Sequence, residues 1–305
     1  RRGIWIVHIG LLLGLAAMLL MRFQTATYVL ISASALLGLA VSPIWLAVMS
    51  RVAPVQSIGR ATRVGVVFTV WLAGAGSGPV AINFLMSNNY DSAFWLLIGL
   101  WLLATLVAAI ILRKSGKDVI SGSGFSFRKE VAKLAQNPAV QKILLPGMFL
   151  QTFTGGLLLP LLPVYAQGQL GLSPNQYAFL LLAGGAAAGL SLLPMGYLAD
   201  RLELKPLLSV GFAMTALSLA LFSRATEMAS IFILAGMTGF SYAIILPAWN
   251  NLLAKVISPE GQATGWGVFS TIEGAGIAVG PTLGGLLAHF YGFHTVLILC
   301  VLLLG

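Results

Sequence analysis

The stretch Glu273-Gly-Ala-Gly-Ile-Ala-Val-Gly-Pro-Thr-Leu-Gly-Gly285 decides how the rest of the chain is read. Gly276, Gly280 and Gly284 recur every fourth position, so they share one face of a helix. Between helices in lipid the hydrophobic effect is absent, and a stripe of small residues lets a neighbouring backbone come close. Pro281 removes a backbone donor and bends the helix at that level. Glu273 places an ionisable group at membrane depth, which insertion scales penalise by roughly 2.5–3.5 kcal/mol. A second copy lies 202 residues upstream, where Gly74, Gly78 and Pro79 stand in Trp71-Leu-Ala-Gly-Ala-Gly-Ser-Gly-Pro79.

Working outward, the 305-residue chain is 58% hydrophobic and only 8% charged. A soluble domain carries about 25% charged residues, so this composition belongs to a membrane protein. The net charge of +9 would suit nucleic acid, but the charges sit in short gaps between apolar runs, as in a protein facing anionic lipid. Nucleic acid is therefore excluded as a partner. Cys300 is the only cysteine, so no internal disulfide can form. The chain starts Arg1-Arg2-Gly3 without a methionine and stops at Gly305 inside an apolar run, which reads as a piece of a longer protein.

A span needs about 20 mostly apolar residues. Ten stretches qualify or nearly so: 4–21, 27–49, 64–86, 92–112, 143–166, 177–198, 207–223, 229–253, 264–287 and the short 294–305. Helices are expected, because backbone groups find no water in lipid and the runs are too long for barrel strands. The gaps alternate in charge. One set holds 15 of the 17 basic residues; the other holds only Arg22 and Arg224, with Asp91 and Glu227. The positive-inside rule puts the first set in the cytoplasm: the linker 113–142 and the loops near 51–63, 199–206 and 254–262. Within the linker, 121–124 is Ser/Gly-rich and reads as flexible. Arg128 to Ala135 reads either as an amphipathic helix at the membrane surface or as a solvated charge run.

The repeat extends beyond the glycines. At the same shift Arg22 matches Arg224, Gly59 matches Gly261, Ala61-Thr62 matches Ala263-Thr264, and Gly65 matches Gly267. Two halves of like topology, each of six spans, is the natural reading. Residues 1–112 are then the remainder of the first half, 113–142 the linker and 143–305 the second half, with the last span truncated. The first half lacks its first two spans.

At this point the chain resembles the major facilitator superfamily. Gly196-Tyr-Leu-Ala-Asp200-Arg201-Leu-Glu-Leu-Lys205 is similar to the family's cytoplasmic motif G-x-x-x-D-R-x-G-R-[RK], with Glu203 and Leu204 in place of the usual Gly and Arg. Arg1-Arg2 looks like the tail of the first-half copy. Gly74 to Pro79 resembles the antiporter motif G-x-x-x-G-P-x-x-G-G, although Ala81-Ile82-Asn83 replaces its final glycines; Gly276 to Gly285 matches its letters better. The resemblance implies an all-α, pseudo-twofold helix bundle. It implies that the second, fifth and eighth spans line a central cavity, and that the third, sixth and ninth form the contact between halves. It also implies that Asp200 faces the start of the ninth span, near Ser258-Pro-Glu-Gly261, as a gating charge against the helix dipole. Gly196, Arg201 and Lys205 complete that gating motif.

Glu273 is the one acidic residue well inside a span. Its charged form is the costly one there, which makes it the proton-coupling candidate, against a purely structural buried acid. Cavity candidates are Ser42 and Trp45 in the second span, Gln151, Thr152 and Phe153 in the fifth, and Tyr242 and Asn250 in the eighth, with Trp249 beside them. Aromatic walls with few charges suit an apolar or amphipathic solute. Trp45 and Trp249 also lie where interfacial anchors would. His8, His289 and His294 lack carboxylate or thiolate company, so no metal site is expected. No cofactor is expected either. The phosphate loop of ATP-driven transport and the nucleophile elbow of a hydrolase are both missing, so the chain reads as no enzyme.

The expected function is a monomeric, multi-pass secondary transporter of the plasma (inner) membrane, working by alternating access and exporting an amphipathic organic solute or drug against protons. One departure weighs on drug export. The second span has no arginine midway, at Ile31 to Gly38, where drug–proton exchangers of the superfamily carry one. A proton symporter for a sugar or other neutral metabolite is the alternative, and a non-transporting receptor or assembly protein is the alternative of another class.

Overall fold

The structure is a computed structural model and describes residues 2–52, 60–86, 90–114, 127–258 and 261–305. The Ser/Gly-rich stretch 121–124, Arg1, and the residues 259–260 of the presumed gate partner lie outside the described residues. The apolar stretches read from the sequence are helical, with 143–166 broken by a turn at 159–161. The helices are α1 (Arg2–Phe23), α2 (Thr27–Val52), α3 (Arg60–Met86), α4 (Tyr90–Lys114), α5 (Phe127–Gln136), α6 (Leu145–Leu158), α7 (Leu162–Gly168), α8 (Pro174–Arg201), α9 (Leu204–Phe222), α10 (Met228–Val256), α11 (Gln262–Tyr291) and α12 (Phe293–Leu304). A π-helical turn, Val140–Leu144, runs directly into α6. No strand occurs among the described residues. Among the described residues five segments are long and apolar enough to cross a membrane; one of them, Val140–Gly168, joins the π turn, α6 and α7. Pro160 and Pro163 account for the break between α6 and α7, since neither can donate to the helical ladder.

Contacts divide the chain into two compact units, Arg1–Arg51 with Gly78–Ser126, and Val52–Ser77 with Phe127–Gly305. In the first unit α1 packs on α4. The Trp101 indole of α4 lies across Gly14 of α1, where any side chain would collide with it, and its Nε1 donates to the Leu11 carbonyl at 2.8 Å. Gly10 brings α1 close to α2: a Cβ there would stand 2.7 Å from the Ala40 carbonyl. Arg22, at the end of α1, pairs with Asp91, in the first turn of α4, at 2.9 Å.

In the second unit α8 packs on α10, α10 on α9, α11 on α6, and α12 on both α9 and α6. Gly239 of α10 sits directly against the Gly184 backbone of α8. Several polar side chains at depth are satisfied within the protein: Thr154 and Ser218 donate to carbonyls one turn back, and the Thr215 hydroxyl donates to Ser241 Oγ across α9 and α10 at 2.8 Å, whereas the buried Trp249 Nε1 has no partner among the described residues. Near α7 the Tyr165 ring stacks on Phe293 with centroids 3.9 Å apart. Two chain reversals are glycine-dependent. Gly171, with φ of 64°, leads into α8 and its Ser173/Gln176 capping box, and Gly292, with φ of 83°, turns α11 into α12.

The short linker helix α5 packs against α11 and the π turn. It buries Glu130 and Leu134, one turn apart, and leaves Arg128, Lys129 and Lys133 exposed. Its inner face is therefore taken up by protein, and the sequence reading of a solvated charge run does not hold for Glu130.

Candidate functional site

Two places gather the residues singled out in the sequence. The first is where α8 ends against the beginning of α3, both inside the second unit. The opening amides of a helix have no intrahelical acceptor and carry partial positive charge. Asp200 supplies what they lack. Its Oδ1 accepts the Ala61 N–H at 2.8 Å, and its Oδ2 accepts the Thr62 N–H at 3.0 Å and the Thr62 hydroxyl at 2.8 Å. These are charge-assisted bonds, about twice the strength of neutral ones.

Close approach makes those bonds possible. Gly196 lies one turn before Asp200, and a Cβ there would stand 2.8 Å from the Ala61 carbonyl oxygen. One turn further along, Gly65 of α3 faces the Leu192 carbonyl of α8 at the same 2.8 Å. A glycine on each helix thus brings the two backbones together. Arg201 is not the partner of Asp200; its guanidinium lies over the Tyr197 ring, 4.0 Å from the centroid. Lys205, with Arg201, Glu203 and Lys255, lines an open cleft of about 440 Å³.

This geometry corrects one expectation. Asp200 holds the start of the third span, not of the ninth. The repeat explains why: Ala61-Thr62 and Ala263-Thr264 are the same two letters, and the carboxylate that follows the sixth span reaches the first copy. The third and sixth spans do meet as expected, through Gly65 and Gly196.

The second place is the seam between α6 and α11. Cβ atoms on Gly276, Gly280 and Gly284 would all collide with α6. At Gly276 the nearest atoms include the Thr152 hydroxyl and the Phe149 carbonyl; at Gly280 the Gly156 Cα lies at 2.7 Å; at Gly284 the Leu157 carbonyl lies at 2.5 Å. Gly156 answers Gly280 from the other side, and Pro281 Cδ lies 3.3 Å from where a Gly156 Cβ would be. Here too an expectation changes. The ninth-span stripe packs on the fifth span, inside its own unit, because α6 offers a glycine and a small hydroxyl at the matching turns. In α3 nothing among the described residues lies within 4 Å of a Cβ on Gly74 or Gly78. The side chain of Pro79 is outside the described residues.

Among the cavity candidates, Thr152 and Phe153 belong to this seam. The Thr152 hydroxyl donates to the Met148 carbonyl at 2.8 Å, and Phe153 stacks on Phe149 with centroids 5.6 Å apart. Asn250 is buried, its amide donating to the Leu246 carbonyl at 2.8 Å. Trp249 is also buried, so it is no interfacial anchor. Its ring fills the space over Gly147 and meets Phe212 edge-on at 6.2 Å. Gln151 and Trp45 are half-buried and Ser42 is exposed. Glu273 is half-buried on α11, one turn before Gly276, and Tyr242 is half-buried on α10. No cluster of metal-ligating side chains occurs among the described residues.

Sequence reasoning missed Ala61, Thr62 and Gly65 as the partners of the gating motif, Gly156 as the other half of the seam, and Glu130. The repeated Ala-Thr pair was the signal for the first of these.

Comparison with known proteins agrees with this architecture. The sequence model of the Major Facilitator Superfamily matches residues 144–305. The proton-coupled antiporter flippase LtaA of Staphylococcus saprophyticus is 31% identical over 294 residues, covering 93% of this chain and 71% of the relative. LtaA of Staphylococcus haemolyticus is 30% identical over the same length, with the same coverage. The crystal structure of the human organic anion transporter MFSD10 (TETRAN) superposes with a TM-score of 0.78 over 99% of this chain and 77% of its own, at 14% identity, which speaks to fold alone. A pseudo-repeated helical membrane chain whose Gly196–Asp200 motif binds the start of α3, matched by sequence and by fold to these transporters, belongs to the Major Facilitator Superfamily.

Proposed function

We propose that this chain works as a proton-coupled antiporter that moves an amphipathic, lipid-like solute by alternating access, in the plasma (inner) membrane with the basic loops in the cytoplasm. The observation that carries the reading is Glu273: a carboxyl within an apolar span, half-buried, on the helix that forms the glycine seam. An intramembrane acid facing protein is the ordinary means of carrying a proton between two states. The name of the LtaA relatives, proton-coupled antiporter flippase, supports both the coupling ion and an amphipathic substrate. Asp200 acts in this scheme as the gate charge. It fastens α3 to α8 in one state and must release or keep that contact as the bundle changes state. The protein works as a monomer.

The test is substrate-driven proton movement in liposomes containing the full-length protein. Adding a fluorescent glycolipid or amphipathic drug on one side should drive protons in the opposite direction, and Glu273→Gln should uncouple the two. Protons moving with the solute would favour a symporter. Movement of neither, with correctly inserted protein, would leave a receptor or assembly role.

A further inference from the structure

Where α8 gives way to α9, basic side chains gather in one place. Arg201 ends α8, Lys205 lies in the first turn of α9, and Lys255 lies in the last turn of α10. With Glu203 they line the open cleft of about 440 Å³, which Leu202 and Leu204 complete on its apolar side. Packing sets the walls. α10 lies against both α8 and α9, and the Asn251 amide, one turn before Lys255, donates to the Ala199 carbonyl of α8 at 3.3 Å. The Tyr197 ring, 4.0 Å away, holds the Arg201 guanidinium.

Three cations thus share the cleft with one carboxylate. Among the described residues none of the three stands within ion-pair distance of an acid, and both oxygens of the neighbouring Asp200 are engaged by α3. Like charges gathered in this way repel unless an anion sits among them. The place narrows the choice of anion. Asn175–Arg201, Leu204–Phe222 and Met228–Val256 are each long and apolar enough to cross a membrane, and the cleft lies where all three end. That is the level of lipid headgroups, where basic pockets between membrane helices hold anionic phospholipids. Leu202, 52% exposed, and the buried Leu204 add apolar lining for which a soluble anion has no use.

We propose that this cleft binds the phosphodiester headgroup of an anionic phospholipid, with Arg201, Lys205 and Lys255 around the phosphate and the leucines against its glycerol end. The bound lipid joins the ends of α8, α9 and α10. The site is separate from the Asp200 bonds and from the α6–α11 seam, and it does not depend on what the protein transports.

Native mass spectrometry of the full-length protein in detergent tests this, with phosphatidylglycerol or phosphatidylcholine added and the tightest lipid site read out. Phosphatidylglycerol should bind about tenfold or more tightly than phosphatidylcholine, since each basic side chain near an anionic lipid is worth roughly fivefold in affinity. Lys255→Gln should weaken phosphatidylglycerol about fivefold, and Glu203→Gln should strengthen it about two- to fivefold, a gain that lost structure would not produce. Both side chains are exposed, so neither change disturbs the fold. Lys129→Gln with Lys133→Gln, on α5, removes two exposed cations elsewhere and should leave binding as it was. Equal binding of the two lipids overturns the proposal, as does an unchanged affinity in Lys255→Gln or the same loss from the α5 pair. Phosphatidylglycerol that stays bound in millimolar inorganic phosphate supports a lipid site; its displacement would make the ligand a soluble anion and overturn the assignment.

Discussion

The two copies of the repeated segment, 60–79 in α3 and 262–281 in α11, share letters but not surroundings. A carboxylate lies near each beginning, but among the described residues only at α3 do helix amides bond to it. Asp200 closes on Ala61 and Thr62 of one, and the Glu130 carboxyl lies against Gly261, just before the other. Their glycine faces are treated differently. Gly276, Gly280 and Gly284 are pressed onto α6, while Gly74 and Gly78 meet nothing within 4 Å among the described residues. A helix's unsatisfied amides exist whatever packs beside it, and at α3 the Asp200 carboxylate meets two of them. A small-residue stripe, by contrast, only permits close approach. Whether a neighbour comes depends on what that neighbour offers, and α6 offers Gly156 and Thr152.

The largest effect expected from breaking this comparison is at the start of α3. Asp200→Asn removes the charge from three bonds at the start of α3, each worth roughly 1.5–3 kcal/mol when one partner is ionised. Transport into vesicles should fall about tenfold or more while membrane insertion is kept, because a 1.4 kcal/mol loss is already a factor of about ten. Wild-type transport by the inserted variant would remove Asp200 from the mechanism.

Next in size is the seam. Gly280→Ala inserts a methyl 2.7 Å from the Gly156 Cα, backbone against backbone, and should destabilise the protein by about 1–3 kcal/mol in thermal unfolding. Gly280→Ala combined with an alteration of Gly156 cannot relieve it, since glycine is already the smallest residue. Third, Glu273→Gln should flatten the pH dependence of transport with little change in melting temperature. An unchanged pH profile would take the proton away from Glu273. The smallest effect belongs to the open copy: Gly74→Ala should lie within about 0.5 kcal/mol of wild type, since the added methyl has nothing to strike. A large loss at Gly74 would mean that this face is packed in the working protein.

The helices themselves were legible because lipid leaves the backbone one solution, and the apolar stretches from 4–21 to 294–305 took it, 143–166 in two pieces. The repeat was legible through paired letters such as Ala61-Thr62 and Ala263-Thr264. What the letters did not carry was which copy a distant carboxylate would reach. Asp200 follows the sixth span in sequence, and only three-dimensional placement sends it to α3 instead of α11. Glu130 was harder still. In sequence it is one acid among Arg128, Lys129 and Lys133, and such runs read as solvated; its burial follows from the glycine opposite it, 131 positions along the chain. Trp249 misled for a related reason. Position near a span's end suggests an anchor at the lipid surface, whereas Gly147 opens a space inside the bundle that the ring fills.

The bond between Asp200 and the start of α3 is best tested by a double-mutant cycle in thermal unfolding of the full-length protein, with Asp200→Ala, Thr62→Val and both together. A coupling of about 1 kcal/mol, inside the roughly 0.5–3 kcal/mol range of directly bonded pairs, is the expected result. Two losses that simply add, to within about 0.3 kcal/mol, would contradict it.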